Sequence, residues 1–189
     1  MGKYNGREDG KDSGKRMKCS IENYYQAYYE SPLGKITMAS DGENLIGLWL
    51  EGQKHFEKTV EGKIALKEEL PIFEKTKQWL DDYFAGNRPE ISELPLAPSG
   101  SEFRQAVWKL LCEIPYGEVT TYGEIARKIA KMQNIARMSA QAVGGAVGHN
   151  PISIIIPCHR VVGTDGSMTG YGGGIEKKEW LLKHEGVIF

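Results

Sequence analysis

Three consecutive isoleucines, Ile154–Ile156, run into Pro157 and then into Cys158, His159, Arg160, Val161 and Val162. No other stretch restricts the local backbone as tightly. β-branched residues favour extended structure, and proline, with no N–H to give to a ladder, ends it. The order therefore predicts a strand over Ile152–Ile156 that turns Cys158 out at its end. A cysteine attacks as its thiolate, and a neighbouring imidazole or guanidinium lowers the thiol pKa below its free value of ~8.5. The same residues also suit a buried structural cysteine at a strand terminus, and the motif alone does not choose between the two. In an extended strand Cys158 and His159 would point apart, so cooperation between them needs a bridging water or a local turn.

The 189 residues, 40% hydrophobic and 26% charged, suit one large or two small globular domains. No apolar run approaches the ~20 residues that a bilayer requires, and the N-terminus has no signal-peptide core, so a cytoplasmic protein is expected. Cysteines at 19, 112 and 158 are too few and too far apart for a disulfide framework, and the scattered histidines (55, 149, 159, 184) give no metal-ligand spacing. No metal or cofactor is expected. Net charge is uneven: residues 1–18 carry six Lys/Arg against three acids, 19–98 eight against fourteen, and 99–189 ten against eight. The mildly basic C-terminal half is compatible with a polyanion partner bound modestly and salt-sensitively.

Residues 1–20, glycine-rich and charged, read as a disordered tail. From Tyr24 short β-type segments follow: Tyr24–Tyr29, Ile36–Ala39 and Leu45–Leu50, separated by turns at Ser31–Gly34 and Asp41-Gly42, an antiparallel meander. Ile72, Phe73, Thr76, Trp79, Leu80 and Tyr83 recur at helical spacing between Pro71 and Ala85, and their aromatics read as core packing. The stretch 93–100, with two prolines and a Ser-Gly, reads as a linker, which divides the chain into 21–98 and 99–189. Beyond it Phe103, Val107, Leu110, Leu111 and Ile114 mark a helix that carries Cys112 as a core residue. Thr121 and Glu124 form a capping box that opens a helix over Tyr122–Ala130, and Ser139 opens another to about Val147, together a helix-turn-helix with a long turn. Gly144 and Gly145 lie inside the second helix at about 1 kcal/mol each relative to alanine. Close approach of the backbone by another element of the fold or by a DNA strand would account for them.

The motifs from Phe103 to Gly186 resemble, in order, those of the bacterial O6-alkylguanine-DNA alkyltransferases: Gly117–Ala126, Ala142–Gly145, Asn150-Pro151, Ile156–Val162, Thr169–Gly174 and Lys178–Gly186. The resemblance implies an α+β protein, with a ribonuclease-H-like N-terminal domain followed by a winged-helix-like helix-turn-helix alkyltransferase domain. It implies DNA repair by direct, stoichiometric and irreversible transfer of an alkyl group to Cys158 from O6 of guanine, with O4 of thymine as an alternative donor. His159 would activate the thiol through a water and Glu185 would orient His159, which fits the general logic of an activated nucleophile whose base is held by a third group. Asn150 corresponds to the family's hinge asparagine. Tyr122 corresponds to a tyrosine that helps turn the DNA phosphate and gives a proton to the departing guanine.

Tyr171, Gly172 and Gly173 correspond to the loop that closes over an extruded base. Gln141, Ala142 and Gly145 lie on the recognition helix, and Arg160 takes a structural or electrostatic place beside the site. The implied partner is double-stranded DNA carrying O6-alkylguanine, bound through the minor groove by a monomer with base flipping. Two positions depart from the family. Gln141 stands where an arginine usually fills the vacated base's space, and Gly172 stands where a serine is common in some members. The rival readings are a non-enzymatic alkylated-DNA lesion-binding module, in which the nucleophile is replaced, a Cys-His thiol hydrolase, and a regulator using the helix-turn-helix alone.

Overall fold

A computed structural model describes residues 23–54 and 63–188; the tail expected at 1–20 lies outside these residues. The meander forms as expected from β1 (Asn23–Ser31), β2 (Gly34–Ser40) and β3 (Leu45–Leu50), with antiparallel register Tyr25↔Ser40 to Ser31↔Gly34 and Ile36↔Leu50. Its turns are closed by side chains. Ser31 Oγ accepts from Leu33 N (3.1 Å) and donates to Gly34 O (2.7 Å), while Asp41 Oδ1 accepts from the amides of Glu43 and Asn44. A fourth strand, β4 (Lys63–Leu66), which the sequence did not announce, pairs parallel with β1 and gives the order β3-β2-β1-β4.

Helix α1 (Pro71–Phe84) has proline in its first turn, where the missing N–H removes nothing, and buries Ile72, Phe73, Thr76, Trp79, Leu80 and Tyr83. The proline-rich stretch that follows is laid along the sheet rather than hanging free. Leu45 N donates to Pro95 O (2.8 Å) and Ala97 N to Leu45 O (2.9 Å).

The second half packs α2 (Glu102–Cys112), α3 (Tyr122–Met132) and α4 (Ala140–Gly148) around Val107, Leu111, Ile129 and Val143, each fully buried and contributing about 1.5–3 kcal/mol. Trp108 Nε1 donates across this bundle to Ala146 O (2.9 Å). The predicted capping box is present: Glu124 N donates to Thr121 Oγ1 (3.1 Å) and Thr121 N to Glu124 Oε2 (3.0 Å). Two-residue strands β5 (Thr120–Thr121) and β6 (Val161–Val162) pair in parallel, and α5 (Ile175–His184) closes the chain against them. One buried apolar cluster runs from Met38 and Leu48 of the sheet to Ile155 and Leu181. Among the described residues no helix is long and apolar enough to cross a membrane.

The strand expected at Ile152–Ile156 does not form. Ile152 alone bridges β3, through Leu48 N to Pro151 O (2.8 Å) and Ser153 N to Leu48 O (2.9 Å). Beyond it the chain makes two tight turns. Ile155 N bonds Ser153 O (2.8 Å) across Ile154, whose φ is +69°, and Cys158 N bonds Ile156 O (2.8 Å) across Pro157. The first is the rare, strained form of γ-turn, and positive φ at a β-branched residue costs on the order of 1–3 kcal/mol. The buried Asn150 carboxamide makes this possible by replacing the ladder. Its Oδ1 accepts from Ile152 N (3.0 Å), and its Nδ2 donates to Ile152 O (3.2 Å) and Ile156 O (2.9 Å). The isoleucines serve burial, not pairing.

Candidate active site

Cys158, His159 and Arg160 form a single 3₁₀ turn, and all three are buried. Such a turn sets successive side chains about 120° apart instead of opposite, which removes the conflict posed by an extended strand. His159 and Arg160 both reach Glu185, which caps the C-terminal end of α5. A carboxylate is unfavourable at that end of a helix dipole, so it must be held by specific donors. Five hydrogen bonds do this: His159 Nε2 (2.6 Å), Arg160 Nη2 (3.0 Å) and Tyr83 OH (2.7 Å) to Oε1, and Arg160 Nε (2.8 Å) and Gly117 N (3.2 Å) to Oε2.

Burial pushes the Glu185 carboxyl up, but the bonds from His159 and Arg160 outweigh it and hold the group well below the usual carboxylate range. Burial lowers the His159 pKa, against the pull of Glu185. A carboxylate only accepts, so Nε2 carries the proton of the neutral ring. The other nitrogen, Nδ1, is then an acceptor, and it is buried without a hydrogen-bond partner among the described residues.

Burial also pushes the Cys158 thiol up; the Asn150 side chain, the Lys178 charge and the amides of Cys158 and His159 act in the opposite direction. Lys178, on α5, is fully buried, donates to the carbonyls of Val161 and Thr169, and is lowered by burial to about 8. Thr169 O also accepts from Tyr122 OH (2.9 Å) at the start of α3. Burial and the neighbouring Cys158 raise the Tyr122 phenol to about 12. Cys112, by contrast, is pushed up by burial to about 11, as suits an inert thiol.

The expected residues therefore fall into two groups. Cys158, His159, Glu185, Asn150 and Tyr122 converge with Arg160, which turns inward to Glu185 and to Ile114 O (2.6 Å) instead of facing outward. Tyr171 is buried beside them, its hydroxyl facing the Ser153 side chain and Cys158. A Cβ on Gly173 would lie 2.9 Å from the Tyr171 ring and 3.0 Å from Leu50, so the loop needs glycine there, whereas Gly172 makes only ordinary contact with Gln53.

Gln141, Ala142 and Gly145 form the second group, exposed on the outer face of α4. A Cβ on Gly145 would meet nothing, and one on Gly144 would lie 3.8 Å from Tyr122, so packing within the fold requires neither glycine. Sequence reasoning missed Lys178 and Tyr83 as site residues. The tyrosine carried a usable signal, since a buried Tyr hydroxyl usually finds a polar partner.

A buried thiol beside an imidazole–carboxylate pair, joined to a helix-turn-helix with a small-residue outer face, defines a cysteine-nucleophile protein built around a nucleic-acid-binding motif. The comparisons agree with that class. Residues 24–98 match the ribonuclease-like domain, and residues 102–187 the DNA binding domain, of 6-O-methylguanine DNA methyltransferase. The chain belongs to this family. It is 44% identical over 165 residues to a methylated-DNA–protein-cysteine methyltransferase of Haemophilus influenzae, covering 87% of this chain and 88% of that one. It is 44% identical over 163 residues to one of Methanosarcina acetivorans, covering 86% and 98%. Among solved structures it is similar to Mycobacterium tuberculosis OGT in complex with DNA, with a TM-score of 0.70, 39% identity and 86% and 92% of the two chains covered.

Proposed function

We propose that this chain repairs alkylated DNA by taking the alkyl group of an O6-alkylguanine onto Cys158. The observation that carries the reading is the bare Nδ1 of His159, a buried acceptor on a ring whose other nitrogen is held by Glu185. Cys158 gives its proton, through a water, to that nitrogen. The thiolate attacks the alkyl carbon, the carbon–O6 bond breaks with its electron pair going to the guanine, and a proton from Tyr122 OH neutralises the departing base. The thioether product has no good leaving group, so each molecule acts once. Asn150 steadies the sulfur, and Lys178 supplies a nearby positive charge.

On the DNA side, Gln141, Ala142 and Gly145 supply the face that meets the minor groove; the small Ala142 and the exposed Gly145 allow the close approach that nothing inside the fold demands. The damaged base leaves the stack to reach the buried thiol, at a cost of a few kcal/mol that a weakened alkylated pair lessens. Tyr171, Gly172 and Gly173 close over it. We further propose that the chain works as a cytoplasmic monomer and divides between 21–98 and 99–189. The lesion-binding reading, which lacks a nucleophile, is disfavoured because Cys158 is present with its full relay.

Intact-mass analysis after mixing with a duplex containing one O6-methylguanine tests this. A single methyl on Cys158, absent from Cys158→Ser, is expected; tight binding with no mass change would replace alkyl transfer with lesion recognition.

A further inference from the structure

The turn that follows β3, Glu51–Lys54, belongs to the first half of the chain yet touches both segments that flank Cys158. Gln53 is buried, its backbone N donates to Leu50 O (3.0 Å), and its side-chain Oε1 accepts from Leu50 N (3.0 Å), so the turn is closed twice. The same Oε1 accepts from Ser153 Oγ (2.9 Å), next to the strained Ile154 on the approach to the nucleophile. On the other flank Lys54 N donates to Gly172 O (3.1 Å), and Lys177 Nζ reaches Glu51 O. The side-chain positions of the two glycines face this turn: a Cβ added to Gly172 would lie 3.5 Å from Gln53 Cγ, and one added to Gly173 3.0 Å from Leu50.

We infer that Gln53 is a positioning residue for alkyl transfer: it fixes the separation between the Ser153–Pro157 segment that carries the thiol and the Tyr171–Gly173 loop that closes over the base. This rests on the alkyl-transfer reading above. Buried packing alone would be met as well by an apolar side chain of similar length. The carboxamide adds a fixed acceptor that ties the turn before Cys158 to the sheet, while the backbone of the same turn holds the opposite loop through Lys54 N and Gly172 O.

The test compares Gln53→Met, which keeps the length and loses the acceptor, with Gln53→Glu, which keeps the acceptor. Three quantities are measured on the full chain: the limiting single-turnover rate of methyl transfer from a duplex with one O6-methylguanine, the Kd for that duplex in a Cys158→Ser background, and the rate at which iodoacetamide labels Cys158. Gln53→Met is expected to lose on the order of tenfold in limiting transfer rate, as misplaced reacting groups do, with the Kd and the iodoacetamide rate unchanged. Gln53→Glu is expected to restore the transfer. Ser153→Ala, which removes the other end of the bond, should reproduce the Gln53→Met loss, and serves if that variant does not fold. A wild-type transfer rate in either Gln53→Met or Ser153→Ala, or a fall in iodoacetamide labelling that parallels transfer, would overturn the inference. A wild-type chain that takes up no methyl would instead overturn the alkyl-transfer reading, and the inference with it.

Discussion

Glu185→Gln isolates the site's central group. The amide presents one acceptor oxygen and one NH₂ that only donates, whereas the carboxylate receives three donors at Oε1 and two at Oε2. Whichever way the amide turns, at least two buried donors face another donor, and the buried Arg160 loses its counter-charge. Removing one partner of a buried pair costs about 3–5 kcal/mol. That is a large share of the ~5–15 kcal/mol by which a typical domain is stable. At ~2–4 °C per kcal/mol for a chain of this size, the melting temperature should fall by roughly 6–20 °C at pH 7. The gap should be pH-dependent. The carboxyl pKa is depressed in the fold, so its stabilisation is full above the unfolded value near 4.5 and is lost as pH falls through the folded value. Calorimetric melting of both proteins at pH 7 and at descending acidic pH measures this. A variant that melts within about 2 °C of wild type at pH 7 would refute the account of Glu185 as a buried charge held by five donors.

Tyr83→Phe removes one of those donors and leaves four, so a loss of about 1.5 kcal/mol and a melting temperature lower by roughly 3–6 °C are expected, with methyl transfer retained; no shift would show the bond to be idle. Lys178 titrates near 8 in the fold and higher when unfolded. The folded chain therefore releases this proton first, so from about pH 8 to pH 10 the urea stability of wild type should gain on that of Lys178→Met, the raised thiols and phenols acting alike in both; parallel profiles would refute it. Gln141→Arg should tighten duplex binding and, by bringing one more cation to the DNA, steepen the dependence of log K on log salt by about 0.9, read by titrations at several salt concentrations; an unchanged slope counts against Gln141 facing the DNA.

Where the sequence was legible, a period or a cap made it so. The β-type runs bounded by turns in β1–β3, the apolar stripes of α1 and α2 and the Thr121–Glu124 box each specify structure within a few residues. The reading failed at Ile152–Ile156 because β-branched residues suit a buried turn as well as a strand once Asn150 supplies the hydrogen bonds, and no local pattern announces that. β4, β5 and β6 are too short to show a period. Cys158, His159 and Glu185 were visible through the family's motifs, but Tyr83 was absorbed into a helical stripe, because its partner lies 102 residues away. Gln53 gave no signal, since a single glutamine after a strand looks like any surface turn.

The carboxylate hub also makes the nucleophile depend on distant parts of the chain. Glu185, at the end of α5, gathers donors from Tyr83 on α1 and from the turn that holds Cys158. Until α5 docks, the imidazole has no carboxylate to fix its tautomer and Arg160 has no counter-ion. A chain with α5 detached thus exposes only an ordinary thiol, and the nucleophile is armed only where α1, α5 and the Cys158 turn are packed together.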